Sequence, residues 1–326
     1  MKTIKNVNVT TVDAAVAELK KGKAAVFAGG TDILGAMKGM ISPNAPDTLV
    51  NIKPITSLKK LVEEGGMLKI GPLTTLSEVA ESSVVQTKYT ALAQAARRAA
   101  SPELRNLGTI GGNICQGVRC WYYRGEHNVF PCLRKNAQGI CLALIGDNRF
   151  HSIFGAVSGC IAVNPSDTAP ALIALDAKIV TSKKTVAAAD FFAVNMAPKG
   201  EGTTVLDADE IVTEIQVPAP AVGVKSAFVK FALRKAIDFP VVNCAAAIGG
   251  GSARICLNAV HNLPRRVTAA EDAVKGKTID TTVAEAAGTA AVASAVALAA
   301  SGWNPGNKYM IQIAKTMVKR VVLACK

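Results

Sequence analysis

The chain has 326 residues, half of them apolar and only 19% charged, which excludes an intrinsically disordered protein and leaves ample length for a packed core. Its 37 basic residues against 24 acidic ones give a formal charge of +13, which implies anionic company such as phosphate-bearing cofactors or an acidic partner surface. No nucleic-acid motif and no aromatic–basic stripe accompanies that charge, so no nucleic acid is expected as a partner.

In chain order, the apolar spacing predicts a helix over 11–21 ended by Gly22, a strand over 24–28 and a helix over 33–38. Strands follow at 49–52 and 68–70, then helices at 75–82 and 90–100, the second stopped by Pro102. A glycine-rich turn falls within 107–114. From 115 to 150 periodicity vanishes, and Cys, Arg, Asn and Gly accumulate; a loop of that length in a compact domain is functional or disordered. Regular pattern resumes with a strand at 160–163, a helix at 168–175 and a strand at 177–181. The run 217–223, with two prolines and a glycine, reads as a linker. Beyond it come strands at 226–232, 245–249 and 253–259, then helices at 264–275, 283–300 and 308–325. The whole is α+β or mixed α/β, without an internal repeat.

Residues 1–6 lack the apolar core of a signal peptide, so a cytoplasmic location is expected, where thiols stay reduced and clustered cysteines read as ligands. Residues 286–303 carry no charge over 18 positions, but alanine dominates them and transfers weakly into hydrocarbon; no membrane span is expected. The basic tail, with Lys308, Lys315, Lys319, Arg320 and Lys326, reads as a solvated helix face ahead of a docking patch.

Two glycine pairs stand out. Ala28-Gly29-Gly30-Thr31-Asp32 follows a strand and opens a helix, where glycine lets backbone N–H groups approach a diphosphate and the helix N-terminus adds positive potential. Thr109-Ile110-Gly111-Gly112-Asn113 offers a second such cradle, with Thr109 and Asn113 as side-chain donors. Neither is a six-residue dinucleotide fingerprint or a Walker loop, and each alone reads first as a tight turn. Together, with Asn106-Leu107-Gly108 before the second pair, Pro165-Ser166-Asp167-Thr168-Ala169-Pro170, Arg234-Lys235-Ala236-Ile237-Asp238-Phe239 and Asn307-Lys308-Tyr309, the chain resembles the flavin-binding (medium) subunit of the xanthine oxidase family of molybdenum hydroxylases. That resemblance covers nearly the whole chain. It implies an FAD-binding fold of the vanillyl-alcohol-oxidase type, two α/β subdomains at 1–56 and 57–220, followed by a C-terminal α+β domain at 221–326. It also implies that Ala28 to Asp32 with Thr109, Gly111, Gly112 and Asn113 hold the FAD diphosphate. Asp167 would meet ribityl or ribose hydroxyls, and Arg234 and Asp238 would lie near the flavin ring.

Plain members of that family run almost directly from the Gly-Gly-Asn turn to the Pro-Ser-Asp turn, whereas here residues 115–160 are inserted. With Arg119-Cys120-Trp121-Tyr122-Tyr123 and Pro131-Cys132, the insert resembles the β subunit of 4-hydroxybenzoyl-CoA reductase and the flavin subunit of periplasmic aldehyde oxidoreductases. The implied cofactor is a 4Fe–4S cluster on Cys120, Cys132, Cys141 and Cys160. Steps of 12, 9 and 19 positions between them are unlike the tight runs of ferredoxins or zinc ribbons, yet loop closure costs only slowly more with length and metal binding supplies folding free energy. Cys115 competes for one ligand place, and zinc or free thiols are the alternatives. Trp121, Tyr122 and Tyr123 are expected to shield the cluster from water.

Cys244, Cys256 and Cys325 read as small buried side chains, and His127, His151 and His261 as surface or structural residues. The implied protein is an oxidoreductase subunit without its own substrate base. Its implied partners are a large molybdopterin-binding subunit, a small subunit with two 2Fe–2S clusters, and an external electron donor or acceptor. The rival expectation is a xanthine dehydrogenase-like subunit passing electrons to NAD with a structural insert; a module that has lost flavin is a third.

Overall fold

A computed structural model describes residues 3–135, 139–195, 202–300 and 305–326. The first unit is a parallel sheet of β1 (Lys5–Asn8), β2 (Ala24–Phe27) and β3 (Thr48–Asn51), in the order β1-β3-β2. Helix α1 (Val12–Lys20) crosses from β1 to β2, started by the Thr11 hydroxyl, which accepts from the Ala14 amide at 3.1 Å. Val50 in the central strand faces Val7 and Val26, is fully buried, and packs with Ala15 and Leu19 of α1. Strand β1 escapes sequence reading because Lys-Asn-Val-Asn has one apolar residue and three exposed ones. Helix α2 (Ile33–Lys38) leaves β2 through the first glycine pair.

The second unit is an antiparallel sheet with a layer of short helices. Its strands are β4 (Leu61–Glu64), β5 (Met67–Ile70), β6 (Lys178–Thr181), β7 (Thr185–Ala187) and β8 (Val212–Pro218), in the order β4-β5-β8-β6-β7. The helices are α3 (Leu76–Glu81), α4 (Ser83–Lys88), α5 (Thr90–Arg98), α6 (Pro102–Leu107), α7 (Ile110–Cys115), α8 (Trp121–Arg124) and α9 (Thr168–Ala174). Two expectations fail here. Residues 217 and 218 are not linker: Val217 is fully buried opposite Leu68, and Pro218 ends β8, where a missing N–H costs little. Residues 160–163 form no strand among the described residues; Ile161 and Ala162 are apolar because they are buried, and only an isolated Val157–Cys160 bridge occurs there.

The third unit is an antiparallel sheet, β9 (Lys225–Phe231), β10 (Val242–Gly249), β11 (Ser252–Asn258) and β12 (Arg265–Arg266), ordered β12-β11-β10-β9. Helices α10 (Thr268–Val274), α11 (Thr281–Ala291) and α12 (Tyr309–Ala324) cover one face. Strand β10 is covered on both faces. Cys244, Ala246 and Ile248 join the core under α11 and α12, while Ala245 and Ala247 join the core of the second unit with residues of α5 and α9. The helix expected over 283–300 ends at Ala291; residues 301–303 of that charge-free stretch lie outside the described residues. Beyond Ala291 the Leu298 amide donates to the Asn307 side-chain oxygen instead of a helical carbonyl. No described helix is long and apolar enough to cross a membrane.

The 115–160 insert is largely irregular, and contacts from both flanks fix it. Asn307, fully buried, donates to the carbonyls of His151 (2.9 Å) and Ser152 (3.1 Å) and accepts from the Leu298 amide (2.7 Å). The Tyr309 hydroxyl donates to the Arg149 carbonyl at 2.7 Å, and the His127 amide donates to the Gly39 carbonyl at 2.8 Å. Asn307→Ala removes three of these bonds and should lower the unfolding free energy by about 2–4 kcal/mol. Urea denaturation and faster limited proteolysis within the insert are the measurements.

Candidate functional site

A cleft of about 700 Å³ opens where the first sheet, helix α7, the turn after β9 and the start of the insert meet. Ala28, Gly29, Gly30, Thr31, Asp32, Thr109, Gly111, Gly112, Asn113, Asp167 and Asp238 all line it; Arg234 does not. A Cβ on Gly29 would lie 2.1 Å from the Leu107 carbonyl oxygen, so the two glycine segments touch backbone to backbone. Gly30 has φ +75°, and the N–H groups of Gly30, Thr31 and Asp32 have no hydrogen-bond partner among the described residues. This is an anion-binding concavity beside a positive helix end.

The second glycine segment does not supply the backbone cradle expected of it. It is the first turn of α7, and its amides are engaged: Ile110 to the Thr74 carbonyl (2.9 Å), Gly111 to the Pro72 carbonyl (3.1 Å), Gly112 to the Thr109 hydroxyl (3.1 Å) and Asn113 to the Thr109 carbonyl (2.9 Å). A Cβ on Gly111 would sit 2.6 Å from Pro72 Cβ, so this glycine serves packing. The Asn113 side-chain oxygen accepts from the hydroxyls of Ser166 (2.6 Å) and Thr168 (2.7 Å), joining α7 to the start of α9.

Charge at the cleft is organised around three carboxylates. The Asp32 carboxylate accepts from the Gly117 amide (3.0 Å) and pairs with Arg119 and Arg124, each at 2.9 Å. Burial lowers the Arg119 guanidinium to about 10 against the raising pull of Asp32, and its plane lies 4.3 Å from the Phe239 ring centre. Asp167, almost wholly buried, pairs with the buried Lys230 ammonium at 2.7 Å and accepts from the Asn243 amide at 2.8 Å. Burial pushes its carboxyl above the ordinary range, and Lys230 and Asn243 pull it back. Asp238 accepts from the Arg234 backbone (2.8 Å) and guanidinium (2.9 Å); Arg234 is mostly solvent-exposed, so it shapes the 234–238 turn without entering the cleft.

A second, smaller cavity lies alongside. Cys120, Cys132, Cys141 and Cys160 all line it, around a space of only about 20 Å³, partly open to solvent, against the 700 Å³ of the cleft. Cys115 does not; it lines the cleft. Desolvation raises the Cys120 thiol to about 12 and also raises Cys132 and Cys141, while Lys135 and Arg134 pull Cys132 back toward ionisation. Among the described residues no three or more His, Cys, Asp or Glu side chains are grouped to hold a metal ion. Tyr122 and Tyr123 line the cavity, whereas Trp121 packs edge-on against Phe150 and does not. Buried His151 places Nε2 3.3 Å from Cys120 Sγ, and burial lowers its imidazole to about 4. Tyr123 borders both hollows.

Residues 2–220 match the FAD binding domain of molybdopterin dehydrogenases, and residues 227–325 match the C-terminal domain of carbon monoxide dehydrogenase flavoproteins. The chain belongs to the FAD-binding subunits of the xanthine oxidase-family molybdenum hydroxylases. It is 32% identical over 278 residues to the aldehyde oxidoreductase FAD-binding subunit PaoB of Escherichia coli K12, covering 82% of this chain and 84% of that one. It is 25% identical over 324 residues to the xanthine dehydrogenase FAD-binding subunit of Escherichia coli O157:H7, covering 96% and 92%. A solved carbon monoxide dehydrogenase from Hydrogenophaga pseudoflava, lacking the Mo-pyranopterin moiety of its molybdenum cofactor, superposes with a TM-score of 0.75 at 28% identity over 99% of this chain and 97% of that one. The mixed α/β architecture, an FAD-binding domain followed by a C-terminal domain, is that of these subunits.

In this FAD-binding oxidoreductase subunit, Arg119, Arg124, Lys230 and Asn243 join the site residues expected from the sequence. Arg119 was visible only as part of a motif around Cys120, and nothing local marks Lys230 or Asn243, whose strands reach Asp167 across the fold. Lys230→Met leaves the Asp167 carboxylate buried and unpaired. It should cost about 3–5 kcal/mol of stability, read by chemical denaturation, with a lower FAD-to-protein ratio in the purified variant.

Proposed function

We propose that this FAD-binding subunit also carries a 4Fe–4S cluster and works as the electron-transfer unit of a molybdopterin-containing complex. The observation that carries the reading is the convergence of Cys120, Cys132, Cys141 and Cys160 on one cavity that shares Tyr123 with the FAD cleft. A tetrahedral metal ion needs its sulfurs at about 2.3 Å, and a four-iron cluster spreads the same four thiolates around a larger body. The donor set fits the cluster: four thiols, an N–H from Ala162 (3.4 Å) and a guanidinium N–H from Arg134 (3.3 Å) reaching the Cys160 sulfur.

For FAD, the uncommitted amides of Gly30 to Asp32 would hold the diphosphate, with the Arg119 and Arg124 guanidinium groups adding positive charge. Asp167 would accept from ribityl or ribose hydroxyls, held rigid by Lys230 and Asn243. Asp238 would face the ring region of the cleft. Thr109, Gly111, Gly112 and Asn113 act as its wall, with Ala28 and Gly29 setting the spacing between the two segments. When bound, a flavin exchanges electrons in ones or twos and a 4Fe–4S cluster one at a time, which is the chemistry the two sites would supply. The chain itself places and tunes them.

The partners are a large molybdopterin-binding subunit, a small subunit with two 2Fe–2S clusters, and an external electron donor or acceptor reached through the insert. The insert exposes Val129, Phe130, Ile140, Leu144 and Ile145, an apolar surface suited to a covering protein. The expected location is cytoplasmic.

Anaerobically purified protein should contain about four irons and four acid-labile sulfides per chain. Cys132→Ser and Cys160→Ala should lose both while keeping FAD. Zinc without sulfide, or no metal at all, would overturn this reading in favour of a subunit that passes electrons to NAD with a structural insert.

A further inference from the structure

Arg134 is, at 1% exposure, the largest fully buried side chain among the described residues. Its Nε donates to Cys160 Sγ at 3.3 Å and its Nη1 to the Gly202 carbonyl at 3.1 Å, while Nη2 is buried with no hydrogen-bond partner among the described residues. No described carboxylate pairs with it. Lys230, another buried cation, follows the general rule by pairing with Asp167 at 2.7 Å. Among the described residues this buried guanidinium faces a thiol and a carbonyl, which is strongly unfavourable for a charge because each lost hydration contact goes unreplaced. Arg134 lines the same cavity as the four cysteines, so the missing anion belongs there.

We propose that Arg134 is the built-in counter-ion of the centre held by Cys120, Cys132, Cys141 and Cys160, and that it sets that centre's reduction potential. This rests on the cluster assignment made above. Four thiolates give the site a net negative charge, and each added electron deepens it. A fixed cation and a charge-assisted N–H···S bond favour the reduced state most, raising the potential. Cys160 is the sulfur most affected, since the Ala162 amide also donates to it at 3.4 Å. Arg134 is a positioning and tuning residue; its sequence neighbour Lys135 points elsewhere, with Nζ on the Asn128 side-chain oxygen at 3.0 Å and 5.4 Å from the Tyr123 ring centre.

The test is a redox titration of anaerobically prepared protein followed by EPR. Arg134→Gln should shift the cluster to a more negative midpoint potential, Arg134→Lys should recover part of that shift, and FAD content should stay at the wild-type level. Equal potentials in the wild type and Arg134→Gln, each with a full complement of iron and sulfide, overturn the assignment and leave the cluster reading standing. A second measurement needs no variant. Wild-type protein labelled with ¹⁵N-arginine should show a ¹⁵N coupling to the reduced cluster in pulsed EPR, and its absence overturns the assignment even where Arg134→Gln fails to fold. Wild-type protein free of iron and sulfide overturns the cluster reading and this assignment together.

Discussion

Both candidate sites depend on the Asp32 carboxylate. It stands at the start of α2, directly after the glycine pair that forms the cleft, and it holds Gly117, Arg119 and Arg124. Those three residues flank Cys120 on either side. One carboxylate therefore sets where the cysteine segment leaves the cleft and how far the thiol cavity lies from it. Asp32 is about one-quarter exposed, so its two ion pairs gain more from geometry and reduced solvent screening than a fully exposed pair does. Two guanidinium groups on one carboxylate also leave that corner of the cleft one positive charge in excess, beside the open amides of Gly30 to Asp32.

The C-terminal unit works as the back wall of this arrangement. Strand β10 is lined with alanine on the face that meets α5 and α9, which lets the sheet sit close to those helices and brings Lys230 and Asn243 within reach of Asp167. From the same unit, Asn307 and Tyr309 hold the far end of the insert through its backbone carbonyls. The insert is thus gripped at its entrance by Asp32 and at its exit by Asn307. A loop with little regular structure can stay ordered when its ends and its polar backbone are fixed this way.

Much of this was legible beforehand. The helices of the first unit, the three long C-terminal strands and the positions of the glycine pairs follow from apolar spacing and turn chemistry. The four cysteines that share the cavity were separable from Cys115 only through their place in the insert, and the separation is explained by direction: Cys115 ends α7 facing the cleft, while the others lie beyond it. Misreadings have a common cause. Gly111 and Gly112 suggest a backbone cradle because glycine lets amides approach an anion, yet packing against Pro72 and a Thr109 cap make them the first turn of a helix. Arg234 was placed at the flavin ring by motif alone, and its own neighbour Asp238 draws it back onto the surface turn.

The amino-acid sequence determined the things that depend on local order along the chain: where backbone can come close to an anion, where soft ligands cluster, and which segments carry the period of a helix or a strand. Tertiary structure decided which of those features point at one another. Hydrogen bonds to Pro72, Thr74 and Thr109 consumed the amides of the second glycine segment, a lysine 63 positions downstream paired with Asp167, and burial set the Arg134 guanidinium on the Cys160 sulfur. Such pairings arise when distant elements pack and expel water, because a charge or amide removed from solvent must find its partner wherever the fold supplies one.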